Sequence, residues 1–202
     1  MSENDQLDEK LLEMLKNITS EGIKSAASGF SGMLGRQITV SNSTLRVVPL
    51  LSIPEIVGSP EDDAVGIYLR FEGDMMGQIM MIMPYLKAME LADLLMELPL
   101  GTTQRLGSME RSALGELGNL SGTFFLNSLA KSAGGNYLPS PPAVMVDMVG
   151  AILDVVVATA GGISENVFLM QACFMDGTRG VEANFWVIPD MVALQTLVKK
   201  NS

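Results

Sequence analysis

Histidine is absent from all 202 residues of the chain. That absence excludes a Ser-His-Asp triad, a Cys-His pair and every His-ligated zinc site. Cysteine occurs once, at Cys173, so no intramolecular disulfide can form, and its setting in FLMQACFM reads as a buried apolar thiol. Catalysis, if any, is left to carboxylates, amides, hydroxyls, lysines or the chemistry of a partner. Positive charge is scarce as well: 13 Lys and Arg stand against 23 Asp and Glu, a net charge of -10. That balance opposes binding to phosphate backbones and to anionic lipid, and the few basic residues are too scattered to form a nucleic-acid footprint.

A long uninterrupted apolar run is also missing. The most apolar window, Ala143 to Gly162, contains Asp147 and Asp154, and each would cost about 2.5 to 3.5 kcal/mol at the centre of a bilayer. It reads as a core segment rather than a membrane span. The first ten residues, MSENDQLDEK, lack the basic start and apolar stretch of a secretory signal, so the expected compartment is the cytoplasm. With 48% hydrophobic residues the chain can bury a sizeable core, and its length suits one domain spanning residues 1–202.

What is present has an order that occurs twice. An apolar-periodic helix from Leu7 ends at Gly35, a suitable stop, and strand-like RQITVSNSTLRVVPLL follows. A strand pair, AVGIYLRFEG and GQIMMIMP, leads to the helical YLKAMELADLLMEL. The order then recurs: a helix from about Ser108 to Ser132, the stop AGGN, an extended piece near LPSPPAVMVDM, the strand pair NVFLMQACFM and RGVEANFWVIP, and a closing helix. Superposing the two halves places Pro84 opposite Pro189. The expectation is an α/β chain of the α+β type: two layers, with long helices packed on a mostly antiparallel sheet. It would be internally duplicated with pseudo-twofold symmetry, the repeats covering about residues 7–100 and 106–200. One segment, DMVGAILDVVVATAGG, reads as an additional helix of the second half with Asp147 as N-cap and Gly161 as C-cap, although its three valines keep a strand open.

The second-half helix contains the most informative pattern. RSALGELGNLSGTFF carries Gly115, Gly118 and Gly122, which together forgo roughly 3 kcal/mol of helix propensity relative to alanine. At about 100° per residue, Ser112, Glu116 and Asn119 fall within about 60° of one another and Thr123 joins them. Leu114, Leu117, Leu120 and Phe124 project from the other side. The glycines, with Thr123, are expected to form a bare partner-docking band beside the polar stripe, letting a partner's active-site rim approach Glu116 and Asn119; the alternative is that they permit close packing inside the domain while Glu116 and Asn119 are a solvated face.

Written as a pattern, the segment is Ser112-x3-Glu116-x2-Asn119-x22-Pro142. It resembles the signature of the CheC/CheX/FliY family of response-regulator phosphatases, in which an Asp or Ser, a Glu, an Asn and a Pro occur at this spacing. LDEKLLEMLKN, GMLGRQITVS, VVPLLSIPEIVG and PPAVMVDMVGAILDVVVA are also similar to CheC, so the resemblance covers nearly the whole chain. It implies hydrolysis of the phospho-aspartate of CheY, with Asn119 orienting the attacking water and Glu116 engaging the regulator's active-site lysine. Mg2+ would come with the regulator, so no cofactor of the chain's own is expected. Ser112 is expected to contact the partner or support the helix surface, and Pro142 to fix the turn behind the helix.

CheC proteins often carry the motif in both halves, and here the first copy is degenerate. Aligning Gly35 with the family's equivalent glycine puts Asn17 in the Glu position, Ser20 in the Asn position and Ser43 in the Pro position. A single working site in the second half is therefore expected. The competing readings are a noncatalytic module, binding CheD or resembling the middle domain of the flagellar-switch protein FliM, and a sensor domain using the fold for another ligand.

Overall fold

The computed structural model describes residues 3–35, 37–49, 52–159, 166–177 and 179–189. The elements run α1 Glu3–Leu34, β1 Ile38–Pro49, α2 Ile53–Val57, β2 Asp63–Gly73, β3 Gly77–Pro84, α3 Tyr85–Leu95, α4 Ser108–Ala133, β4 Tyr137–Pro139, β5 Ala143–Met148, α5 Val149–Thr159, β6 Asn166–Asp176 and β7 Arg179–Pro189. Both long helices stop where glycine permits a left-handed backbone, α1 before Gly35 at φ 63° and α4 before Gly134 at φ 76°. The strands form one seven-stranded sheet in the order β1-β6-β7-β3-β2-β4, with β5 also pairing β2, and every pairing is antiparallel.

The central strands explain an oddity of the sequence, the unalternating run QIMMIM in β3. Successive strand residues point to opposite faces, and here both faces are covered. Val65, Ile67, Leu69 and Phe71 of β2, with Ile79, Met81 and Met83 of β3, join the core beneath α1, α3 and α4. Ala64 and Tyr68 of β2, with Met80 and Ile82 of β3, join a smaller core with Ile53 and Val57 of α2 and Val149, Ile152, Leu153 and Val156 of α5. The long helices thus occupy one face as expected, and the short helices add a partial layer on the other.

Three local expectations are corrected. Segment 149–159 is a helix, but Asp147 is not its cap: it lies in β5 opposite Ala64, and its Oδ1 accepts from the backbone N–H of Met148 at 2.8 Å. Nor is this helix peculiar to the second half, because α2 occupies the same place in the order of the first. A single turn is too short to show periodicity; its only local mark is Pro54 in the first turn. The extended LPSPPAVMVDM is two strands separated at Ser140–Pro142. Gly161 and the closing helix expected after β7 lie outside the described residues.

A buried carboxylate organises the connection from α3 to α4. Asp93, 1% exposed, accepts backbone N–H bonds from Gly101 at 2.8 Å and Thr102 at 3.2 Å on one oxygen and from Thr103 at 2.8 Å on the other. Farther along, the N–H of Leu106 donates to the Tyr85 hydroxyl at 3.1 Å, and Arg111 Nε donates to the Leu106 carbonyl at 3.1 Å. The start of α4 is thereby tied to α3. Burial alone would raise the Asp93 pKa, but hydrogen bonding from Thr103, Gly101 and Thr102 outweighs it and holds the carboxyl below its ordinary 3.8.

Because the folded pKa is depressed, the stabilisation by Asp93 is complete above its ordinary value and is lost as pH falls through the lower folded value. Asp93→Asn is expected to cost about 1 to 3 kcal/mol at neutral pH by leaving buried N–H groups poorly paired. In urea titrations the gap between wild type and variant should narrow below about pH 3.8. A gap that widens on acidification would contradict this assignment.

Candidate functional site

Helix α4 is buried on two sides. Leu114, Leu117, Phe125, Leu126 and Leu129 belong to the main core, and Leu120 and Phe124 pack half-buried against it. Where α1 crosses α4, a Cβ on Gly22 would lie 3.0 Å from the Phe125 Cα, so the two backbones nearly touch. What remains exposed is the stripe read from the sequence: Ser112 and Glu116 are exposed, Asn119 and Thr123 half-buried. Among the described residues, no hydrogen bond or ion pair engages any of these four side chains. A carboxylate and an amide one turn apart are therefore not used by the fold.

The glycines are not the bare docking band expected from the sequence. Gly115, Gly118 and Gly122 are all buried, on the side of α4 that meets the sheet. A Cβ on Gly118 would overlap the Cγ2 methyl of Ile67; one on Gly122 would lie 3.2 Å from Leu69 Cδ2, and one on Gly115 3.6 Å from Val144 Cγ2. The propensity they forgo is offset by a close seating of α4 on β2 and β5, so the internal-packing explanation holds for them. Thr123 alone of that proposed surface stays on the outward stripe.

Pro142 joins the same contact. It follows Ser140, which takes over the pairing where two consecutive prolines have no N–H to give: the Ser140 N–H donates to the Arg70 carbonyl at 2.7 Å, and Ser140 Oγ accepts from the Arg70 N–H at 3.0 Å. The half-buried Pro142 ring then lies 3.6 Å from a Cβ built on Gly118 and 3.9 Å from one on Gly115. Its place is against the flank of α4, wedging the turn that carries Glu116 and Asn119.

The first-half residues are not brought to this site. Asn17 is exposed and Ser20 half-buried on α1, while Ser43 lies in β1 where its pairing with β6 shifts register between Ser41 and Thr44. Asn17 lines a depression of about 420 Å3 with Glu13, Met14 and Ser132. Ser132 is sixteen residues beyond Glu116 on α4, roughly 24 Å along the helix. A second depression of about 450 Å3, lined by Ser25, Phe124, Asn127, Ser128, Ala130 and Lys131, also excludes Glu116 and Asn119. The stripe is an open helix face, the shape that suits a protein surface rather than an enclosed small molecule. No cluster of His, Cys, Asp or Glu among the described residues has the make-up of a metal site, and no described helix is long and apolar enough to cross a membrane.

Comparison with known proteins converges on the same segment. The model of the CheC-like family matches residues 109–146, which hold the stripe, the glycines and Pro142. Over 193 residues, 94% of this chain and 92% of the relative, the sequence is 26% identical to the CheY-P phosphatase CheC of Bacillus subtilis (strain 168). The crystal structure of Thermotoga maritima FliY superposes with a TM-score of 0.74 at 19% identity, covering 95% of this chain and 97% of that one. The chain is thus similar to CheC over most of its length, and the match to the CheC-like family model lies within residues 109–146. The fold is shared as well by the CheX–CheY–BeF3–Mg2+ complex from Borrelia burgdorferi, with a TM-score of 0.51 at 15% identity over 84% of this chain and 96% of that one.

The seating of the CheC-like helix predicts substitutions of opposite sign on one face. Gly115→Ala meets only ordinary contacts and should stabilise by up to about 1 kcal/mol through helix propensity. Gly118→Ala should destabilise, since overpacking at Ile67 costs about 1 to 3 kcal/mol against that gain. Denaturation midpoints of the two variants decide it, and a stabilised Gly118→Ala would refute the close seating.

Proposed function

We propose that the chain hydrolyses the phospho-aspartate of a CheY-type response regulator, using one site on the outward face of α4. The observation that carries this reading is the pair Glu116 and Asn119: one turn apart, directed away from the core and without a partner among the described residues, within the segment that matches the CheC-like family model. The name of the Bacillus relative supplies the substrate class, and the Borrelia complex of CheX with CheY, BeF3 and Mg2+ supplies a precedent for this fold meeting a receiver domain.

The chemistry needs little from this protein beyond placement. An amide both donates and accepts, so Asn119 can hold a water in line with the scissile bond without acting as a base. The water oxygen bonds to phosphorus, the bond from phosphorus to the aspartyl oxygen breaks, the aspartate leaves as carboxylate, and the water's proton passes to solvent or phosphate. Glu116 pairs with the regulator's active-site lysine by a charge-assisted hydrogen bond and so fixes the register of the two proteins. The Mg2+ that offsets phosphoryl charge belongs to the regulator in this reading, and the chain itself brings no cofactor. Ser112 and Thr123 border the contact, and Pro142 steadies the helix from behind.

The proposal of a single site treats the two halves as duplicates of which the first has lost its motif. The pairing of β1 with β6 slips between Ser41 and Thr44, and the pairing of the second-half strands with β2 slips where Ser140–Pro142 separates β4 from β5. In this reading Ser43 corresponds to Pro142, Asn17 to Glu116 and Ser20 to Asn119, and the two register slips support the first of these matches. Asn17 offers no charge for a lysine, and the Ser20 hydroxyl is too short to span partner and water.

The decisive assay is dephosphorylation of each receiver domain encoded in the source genome. Asn119→Ala should abolish the acceleration while the complex still forms; unchanged turnover in the folded variant would refute the mechanism. Glu116→Ala should weaken binding too, by about 1.5 to 3 kcal/mol for a lost bond to a charged group. Asn17→Ala with Ser20→Ala should keep nearly full activity, whereas Glu116→Ala with Asn119→Ala should leave only the regulator's own hydrolysis. Accelerated turnover in the latter, abolished only on adding the first pair, would establish a second working site.

A further inference from the structure

Met109 is the second residue of α4 and is 68% exposed. A single exposed apolar side chain needs no explanation in itself; its azimuth does. Seven residues separate Met109 from Glu116, which puts the two within about 20° around the helix and about 10 Å apart along it. Met109 thus continues, at its N-terminal end, the stripe that runs through Ser112, Glu116, Asn119 and Thr123, and among the described residues it is the exposed large apolar side chain of α4. We propose that Met109 is the apolar anchor that sets affinity for the phosphorylated receiver domain, an inference that rests on the phosphatase reading.

Interface size supports this. A specific protein contact covers about 800 Å2 per partner, a disc of roughly 16 Å radius. Centred between Glu116 and Asn119, such a disc reaches Met109, about 13 Å away along the helix. Methionine is enriched in protein interfaces, and the other four stripe residues are polar, with only the Thr123 methyl to add to its apolar contact. An unbranched thioether also adapts to an irregular facing surface. Charge favours the same occupant. Arg105 and Arg111 are exposed around the start of α4, and the bond from Arg111 Nε to the Leu106 carbonyl holds its head there. In a chain of net charge -10, this end of the helix brings cations to the rim of a contact whose partner carries a phosphoryl group and the carboxylates that hold its metal.

The test uses the full chain with a CheY-type receiver domain phosphorylated from acetyl phosphate in Mg2+, and with the same domain loaded with beryllofluoride for binding. Met109→Asp should raise KM and the beryllofluoride-complex Kd about tenfold or more, with the loss falling on KM rather than kcat, and Met109→Leu should restore both. Asn119→Ala, run alongside, should show the reverse split. An unchanged KM and Kd in Met109→Asp, with turnover still lost in Asn119→Ala, overturns the anchor and leaves the phosphatase reading intact. A kcat loss in Met109→Asp equal to that in Asn119→Ala also overturns it. Wild-type protein that accelerates dephosphorylation of no receiver domain overturns the anchor and the phosphatase reading together.

Discussion

The Ile67 methyl occupies the space where a side chain on Gly118 would stand, and the position of α4 follows from that contact. A helix with ordinary side chains on this face would ride higher above the sheet. Seated as it is, α4 brings Gly115 against Val144 and Pro142 and Gly122 against Leu69, so three glycines, two strands and one proline define a single height for the helix. The roughly 3 kcal/mol of forgone propensity is offset by core contacts of β2, a strand whose residues are buried on both sides. Since α1 covers another side of α4, the remaining outward direction is narrow, and Ser112, Glu116, Asn119 and Thr123 fill it.

A site of this kind gains accuracy from standing on a rigid element rather than a loop. The start of α4 is held by the Leu106 N–H donating to the Tyr85 hydroxyl and by Arg111 donating to the Leu106 carbonyl, behind a connection wrapped around the Asp93 carboxylate. Its middle is wedged by Pro142. The side chains that do the proposed chemistry are short, and each angular degree of freedom removed from the helix is removed from them too. Neither described depression contains the pair, which accords with a catalyst whose remaining walls belong to its substrate protein.

Much of the architecture was legible because strands and long helices write their periods into the sequence. The β2–β3 and β6–β7 pairs, the stops at Gly35 and Gly134 and the outward stripe all follow from local patterning. The misreadings have equally specific causes. One turn of helix at Ile53–Val57 carries too few residues for a period. Asp147 has the chemistry of a cap, yet β5 extends one residue past it because pairing with β2 claims its backbone. Met109 escaped notice because exposure, not residue type, is its signal.

The sequence by itself determined that α4 has a polar stripe, where its carboxylate and amide lie, and which family it resembles, because these depend on spacing along one helix. It pointed the glycines toward a partner rather than the chain's own core, a misreading open to any helix face because a missing side chain is equally compatible with either neighbour. Only the tertiary structure decided that, by placing Ile67, Leu69, Val144 and Pro142, residues distant in sequence, where the missing side chains would have been.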